Sequence, residues 1–364
     1  MNRRITLAAI ALLGLSSLSA QDKKARYWED FKQNVTLGGY VIGKASVSDE
    51  DLSASNKSHT NFDLRLVRVY AGGKMMDFKY NFQMEMNGVS GTSKERGPHI
   101  VDAWIEWCKY KYVNVKFGQF KRAFTFENPM HPWDIGMGSY SQLIDKLAGM
   151  NDRIGEHCCG GRDIGLQLQG DLFTRKSDGH SFLHYQVGVY NGQGINHGDE
   201  NRGKDVIGGL WVVPVKDLAI SAFGWGGSYT KNGITVDRNR FSCGVKYESR
   251  WTVRAEYALS QGHKISDYVA AEDGSLTVTG NDRSDAWYVL VGAPAGKRTK
   301  LYARWDVYRD YRTRDSQKSL YGASANYYLC KNLKLQANYN FTEDMASRGD
   351  KYYNSFDVQL YWRF

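Results

Sequence analysis

The sequence predicts an all-β protein, a transmembrane antiparallel β-barrel of sixteen strands, and three observations predict it. Apolar and polar residues alternate with period two in runs of about 9 to 12 residues from Asn34 to the last residue, the length a tilted membrane strand needs. The connections between the runs alternate between short and long, which is the asymmetry of a barrel with tight turns at one rim and loops at the other. The composition is rich in Tyr (24), Trp (10) and Gly (38), with only 5 Pro. The mean hydropathy is negative, which excludes a bundle of membrane helices, each needing about 20 consecutive apolar residues.

At the N-terminus, MNRRITLAAIALLGLSSLSA has Arg3 and Arg4, an apolar core from Ile5 to Leu15 and small residues ending at Ala20. This is the pattern of a cleavable secretory signal, too short to span as a mature helix. Residues 1–20 are therefore expected to be a signal peptide, 21–34 a short N-terminal segment and 35–364 the barrel. Loss of Arg3 and Arg4 lowers Lys plus Arg from 48 to 46, which against 39 Asp and Glu leaves a net charge of +7. A mildly basic exported chain suits anionic solutes or lipopolysaccharide phosphates, and equally suits a solvated basic surface.

In chain order the strands are expected at 35–43, 61–72, 78–87, 100–108, 113–122, 162–173, 182–190, 204–213, 218–228, 239–248, 251–261, 285–293, 298–308, 319–328, 333–342 and 354–364. In the second, FDLRLVRVYAGG, the phase slips near Leu66 and Val67, so Arg65 and Arg68 share a face only if a bulge intervenes. In the fourth, Val101, Ala103, Ile105 and Trp107 oppose Asp102, Trp104 and Glu106; in the fifth, Val113, Val115 and Phe117 oppose Asn114 and Lys116, with KYKY between as a hairpin turn. The runs 285–293 and 319–328 carry apolar or small residues on both faces. In the last two, Leu333, Leu335, Ala337, Tyr339 and Phe341 oppose Lys334, Gln336, Asn338 and Asn340, while Phe356, Val358, Leu360, Trp362 and Phe364 oppose Asp357, Gln359, Tyr361 and Arg363. A Lys or Arg facing lipid near the midplane costs about 2 to 4 kcal/mol, so the charged faces are expected to point into the lumen.

The short connections are 73–77, 109–112, the stretch after Thr174, 214–217, 249–250, 294–297 and 329–332. The long ones are 44–60, 88–99, 123–161, 191–203, 229–238, 262–284, 309–318 and 343–353. The third, 123–161, is far too long for an ordinary connection. It is expected to fold inward and narrow a pore.

On this phase the lumen receives Lys79, Lys116, Arg122, Arg240, Lys246, Arg254, Lys300, Arg304, Lys334 and Arg363, with one or both of Arg65 and Arg68. The inward loop adds Lys121, Lys146, Arg153 and Arg162. Against them stand Glu85, Asp102, Glu106, Asp163, Asp171, Glu248, Glu256, Asp306 and Asp357, so anion preference has to come from placement rather than count. The candidate pore-lining, anion-attracting residues are Arg65, Arg68, Lys79, Lys116, Lys121, Arg122, Arg153, Arg240, Arg254, Lys300 and Arg304. The alternative for each is a cross-strand pair that holds the wall.

The stretches LRLVRVYAGGKMMDFKYNFQMEM (64–86), VDAWIEW (101–107), VKFGQFKRAFTFE (115–127), GRDIGLQLQGDL (161–172) and VGVYNGQGINHGDENRGKD (187–205) resemble, in order, the phosphate-selective porin family of the O and P type. A C-terminal aromatic, here Phe364, is similar to the assembly signal of outer-membrane barrels. The resemblance implies sixteen strands, a homotrimer, a third external loop folded inward and a basic passage. The loop also carries Glu127, Asp134, Asp145, Asp152 and Glu156, and Cys158 and Cys159 depart from the pattern.

The expected function is passive diffusion of small hydrophilic solutes, with anions such as phosphate favoured, in contact with outer-membrane lipid and lipopolysaccharide. No nucleic-acid partner and no cofactor are expected. The alternative is a surface-binding or receptor barrel without an open pore. An enzyme is not expected: His59, His99, His131, His157, His180, His184, His197 and His263 lie mostly in loops, and no GxSxG context occurs. Metal sites are not expected either. His157, Cys158 and Cys159 are consecutive and ill-placed for one tetrahedral ion, and Asn196, Asp199, Glu200 and Asn201 lack a full calcium-loop spacing. Five cysteines, with Cys108, Cys243 and Cys330 outside the loop, are an odd number for a disulfide framework.

Overall fold

The computed structural model describes residues 34–50, 59–87, 97–270 and 275–364. The expected signal peptide, and all of the segment 21–34 except Asn34, lie outside the described residues. The strands follow in chain order as β1 (Val35–Ser48), β2 (Thr60–Met75), β3 (Phe78–Glu85), β4 (His99–Tyr110), β5 (Val113–Lys121), β6 (Arg162–Thr174), β7 (Ser181–Tyr190), β8 (Asp205–Val215), β9 (Leu218–Gly226), β10 (Ser228–Lys231), β11 (Ile234–Asp237), β12 (Asn239–Glu248), β13 (Thr252–Gln261), β14 (Tyr268–Ala270), β15 (Leu276–Val278), β16 (Arg283–Pro294), β17 (Thr299–Arg309), β18 (Gln317–Cys330), β19 (Leu333–Asp344) and β20 (Tyr352–Arg363). Sixteen of these close an antiparallel barrel, each beside its sequence neighbour, with β1 paired to β20. β10–β11 and β14–β15 are separate hairpins within long loops.

Each of the sixteen expected runs therefore becomes a wall strand, most of them longer than the alternation indicated. The two extra hairpins were not expected. The β10–β11 turn is Asn232–Gly233, both at positive φ (54° and 78°), as the favoured two-residue turn requires. That dipeptide was the signal for it.

The faces of the wall follow the pleat. Leu335, Phe356, Leu360 and Trp362 are exposed on the outside, while Lys334, Gln336, Asn338 and Gln359 are buried inside. In β2 the register against β1 shifts between Ile42 and Gly43: Leu66 faces Ile42 and Leu64 faces Gly43, leaving Arg65 as the extra residue. This is the bulge on which a shared face for Arg65 and Arg68 depended. It turns both Arg65 and Arg68 into the lumen.

The β5–β6 connection, residues 122–161, occupies much of the interior. It starts at the loop rim and descends past Glu256, whose carboxylate accepts the Phe126 and Glu127 N–H groups (2.7 and 3.0 Å). Near the turn rim, Lys334 donates to the Trp133 carbonyl (2.8 Å). The chain then climbs through a short helix, Gln142–Leu147, whose N-cap Ser141 accepts the Ile144 N–H. Phe124, Phe126, Ile135, Met137, Leu143, Ile144 and Leu147 pack on the inner faces of β8, β9, β13, β16 and β17 in one apolar cluster with Ile207, Phe223, Trp225, Ala258, Tyr288 and Tyr302.

Candidate functional site

The inward loop leaves open a crescent between itself and the wall, chiefly β1–β7 with Arg304 and Asp306 of β17 and Leu320 of β18 at its edge. Here lies a cavity of about 660 Å³. Seven Lys or Arg border it (Arg65, Arg68, Lys116, Lys121, Arg122, Arg162 and Arg304) against three Asp (Asp102, Asp145 and Asp306), so the site is basic by placement although the lumen as a whole is nearly balanced. Tyr40, Trp104, Phe120, His131 and Tyr140 supply rings, and Asn81, Gln83, Gln167, Gln169 and Gln186 supply amides.

The arginines are held. Arg68 pairs with Glu85 (2.7 Å) and donates to the Tyr40 hydroxyl (3.0 Å). Arg162 grips Asp102 through two nitrogens (2.9 and 3.1 Å). Arg304 donates to the Ser139 carbonyl (2.9 Å) and lies 3.4 Å from Asp306. Arg65 donates to Gln359 and Tyr361 (3.0 and 3.1 Å). Arg122 has a fully enclosed guanidinium, shared between Glu156 (2.6 Å) and Asp163 (2.8 Å).

The lysines differ. Lys116 Nζ lies 4.3 Å from the Trp104 ring centre and 5.4 Å from that of Phe120, and Lys121 Nζ lies 4.9 Å from that of Tyr140. Among the described residues neither makes an ion pair. A ring quadrupole attracts an ammonium without cancelling its charge, so these two remain electrostatically available to a solute.

Five of the eleven candidates lie away from the cavity. Arg240 grips Asp152 through two nitrogens (2.6 and 2.7 Å), and Arg254 donates to the Asp134 and Ile135 carbonyls (2.9 and 2.8 Å). Arg153 ties the loop to Gly262 and to Asp310 (3.3 Å). These three pin the loop. Lys79 is exposed near the turn rim, opposite Glu106 in register, and Lys300 donates to Thr252 (2.7 Å). Alternation showed which strand residues face inward but could not separate those that meet water from those that meet the loop.

Sequence reasoning missed the pinning cluster around Arg238. Its guanidinium is enclosed by Glu156 (3.0 Å) and Asp205 (2.5 Å). Trp225 is surrounded by Arg238, Arg240 and Arg122, whose guanidinium carbons lie 4.6, 4.8 and 4.9 Å from its ring. Burial alone would raise the Glu156 carboxyl, but Arg122 and Arg238 hold it down at about 2. Burial, then the charge of Glu156, pushes the nearby Cys159 thiol up to about 12, and that thiol donates to the Gly149 carbonyl (2.7 Å). His157 contacts the Ile195 carbonyl (3.2 Å) and lies against His197. Asp199 is paired with Lys204.

A family model described as Gram-negative porin matches residues 6–347. No curated protein sequence matches the chain. Among solved structures, an anion-selective porin from Comamonas acidovorans superposes with a TM-score of 0.64 at 14% identity, over 91% of this chain and 99% of that one. OmpF of Salmonella typhi gives 0.62 at 12% identity, over 92% and 99%. The trimer form of OmpT, an outer membrane protein of Vibrio cholerae, gives 0.59 at 12% identity, over 91% and 99%. At such identities the likeness carries the fold.

Proposed function

The chain belongs to the Gram-negative porin family, whose barrel indicates an outer-membrane location and points to a channel rather than an enzyme, and from that premise we propose a passive diffusion pore that favours small anions. Solutes cross through the crescent between the inward loop and the wall. The observation that carries the anion preference is the state of the two lysines, which border the cavity beside aromatic rings while the neighbouring arginines are occupied. Fixed charge at a narrow point selects ions whatever the average charge of the lumen. Phosphate is the anion that the likeness to the O and P type porins suggests. A homotrimer in contact with outer-membrane lipid and lipopolysaccharide is the matching assembly, as in the trimer form of the Vibrio cholerae protein that shares this fold.

The test is single-channel recording of the refolded protein in a planar bilayer under a KCl gradient, with phosphate titrated in. Stable steps with an anion-selective reversal potential are expected. Lys116→Met with Lys121→Met should move that potential toward zero, whereas Arg254→Ala, which frees the Ile135 and Asp134 carbonyls, should make the current noisier without changing its sign. An absence of steps would overturn the pore in favour of a surface-binding barrel, a reading supported by how much of the lumen the loop fills.

A further inference from the structure

Resting on the channel reading, we infer that the crescent contains a recognition site for hexose-sized sugars bearing one anionic group, either a sugar acid or a sugar phosphate. The anionic group meets Lys116. The hydroxyls meet a bank of amides formed by Asn81, Gln83, Gln167, Gln169 and Gln186.

The sheet makes this bank contiguous. Lys116 is directly opposite Gln167, Gln169 is opposite Gln186, and Asn81 is opposite Trp104, over which the Lys116 ammonium sits. All of these side chains border the same cavity. A relay fixes the direction of two of the five amides: the Tyr190 hydroxyl donates to Gln167 Oε1 (2.7 Å), Gln167 Nε2 to Gln169 Oε1 (2.6 Å), and Gln169 Nε2 to Glu106. Each of these amides keeps a second N–H for a ligand. Asn81 and Gln186 make no side-chain hydrogen bond among the described residues, so both present a donor and an acceptor to the cavity.

A bare inorganic anion would use the ammonium and leave the amides to water; a neutral sugar would use the amides and leave the charge unmatched. A ligand with both features uses the whole surface. The cavity of about 660 Å³ lies within the roughly 300 to 1,000 Å³ usual for small-molecule sites. Side-chain amides both give and accept hydrogen bonds, as sugar hydroxyls do, so the pairing tolerates different ring stereochemistry.

The experiment is titration calorimetry on the full refolded chain in detergent with D-glucuronate, glucose 6-phosphate, acetate, inorganic phosphate and methyl glucoside, run beside the bilayer recordings. At least one sugar anion should bind about tenfold tighter than its bare anion and than methyl glucoside, the gain of one or two hydrogen bonds. Which one responds separates the carboxylate from the phosphate. Asn81→Leu with Gln186→Leu should cancel that advantage but leave acetate binding alone. Lys116→Met should weaken both and Lys116→Arg should restore them, with folding of every variant checked by its migration in unheated gels. Equal binding of glucuronate and acetate, and of the two phosphates, would overturn the site while anion-selective steps kept the channel. Sugar-anion binding without steps would overturn the channel and keep the site.

Discussion

His131, near the deepest point of the inward loop, is the residue at which a pH dependence of loop docking is expected. Its ring meets Tyr40 edge-on at 4.6 Å, and its Nδ1 accepts the Trp133 N–H (3.1 Å), so Nδ1 carries no proton. Burial first, then Arg68, Arg363, Lys121 and Lys334, push its imidazolium down to about 4, although one edge opens to the cavity. A released loop would titrate near the ordinary value of about 6.5. The released state thus binds more protons between pH 6.5 and 4, so docking is strongest above 6.5 and weakens as pH falls through that window. Recordings from pH 7 to 4 should show growing current noise, and His131→Asn should flatten that dependence; noise independent of pH would show that the ring does not report docking. Glu156 is shifted in the same direction from a different cause: against the burial that would raise it, Arg122 and Arg238 hold its carboxyl at about 2, so its contribution is complete above about 4.5 and is lost as pH falls through 2. Removing it leaves Arg122 and Arg238 enclosed and undercompensated. Glu156→Ala should cost about 3 to 5 kcal/mol, read as the denaturant concentration at which a protease first cleaves the loop.

At the scale of elements, the inward loop behaves as a packed insert rather than as a flap. Its backbone carbonyls receive Arg240, Arg254, Arg304, Lys334 and Gln336 from the wall, and its apolar side chains rest on Phe223 and Trp225 of β9. Trp225→Ala would remove a ring that three guanidiniums surround, at a cost of about 3 to 5 kcal/mol where the site does not collapse. Larger and unsteady conductance is the expected outcome, and unchanged steps would mean that the loop stands without this support. The same strand explains the limits of reading the chain. Leu335 against Gln336, or Leu360 against Gln359, put lipid and lumen on opposite sides of the alternation, so the wall strands and their two faces were legible. In LAISAFGWG both faces are apolar, because Ala219, Phe223 and Trp225 face the insert while Ile220 faces outward. Alternation cannot distinguish lipid from a buried loop, since both reward apolar surface. For the same reason Arg240 and Arg254 could not be told from Lys116: all are charged and point inward, and only the path of residues 122–161 decides which meet water.

At the scale of the whole molecule, closure and the outer surface are what a membrane requires. β1 pairs with β20 from Tyr40–Arg363 to Ser48–Ser355, and Gly39 and Phe364 exchange both backbone hydrogen bonds at 3.0 Å, so the last residue seals the seam and leaves no open edge there. Around the outside near the loop rim, Trp287, Trp305, Tyr321, Phe341 and Tyr352 follow one another with ring centres 6.2 to 6.4 Å apart, an aromatic girdle of the kind that sits at a membrane interface. Toward the turn rim from it lie Leu301, Ala303, Ala323, Ala325 and Ala337, a face without charge. Charge tolerance should therefore differ sharply between the two sides of one strand. Ala323→Arg on the outside should cost about 2 to 4 kcal/mol in lipid vesicles, the expense of a guanidinium near the midplane, but little in a detergent micelle that deforms around it. Asn340→Arg, on the inner face of the paired strand where Asn340 is only half-buried, should cost little in either. Unfolding midpoints of both variants in vesicles and micelles decide the matter: equal costs for the two in vesicles would mean that this alanine face is not turned toward lipid and is instead covered, as by a neighbouring copy in a trimer.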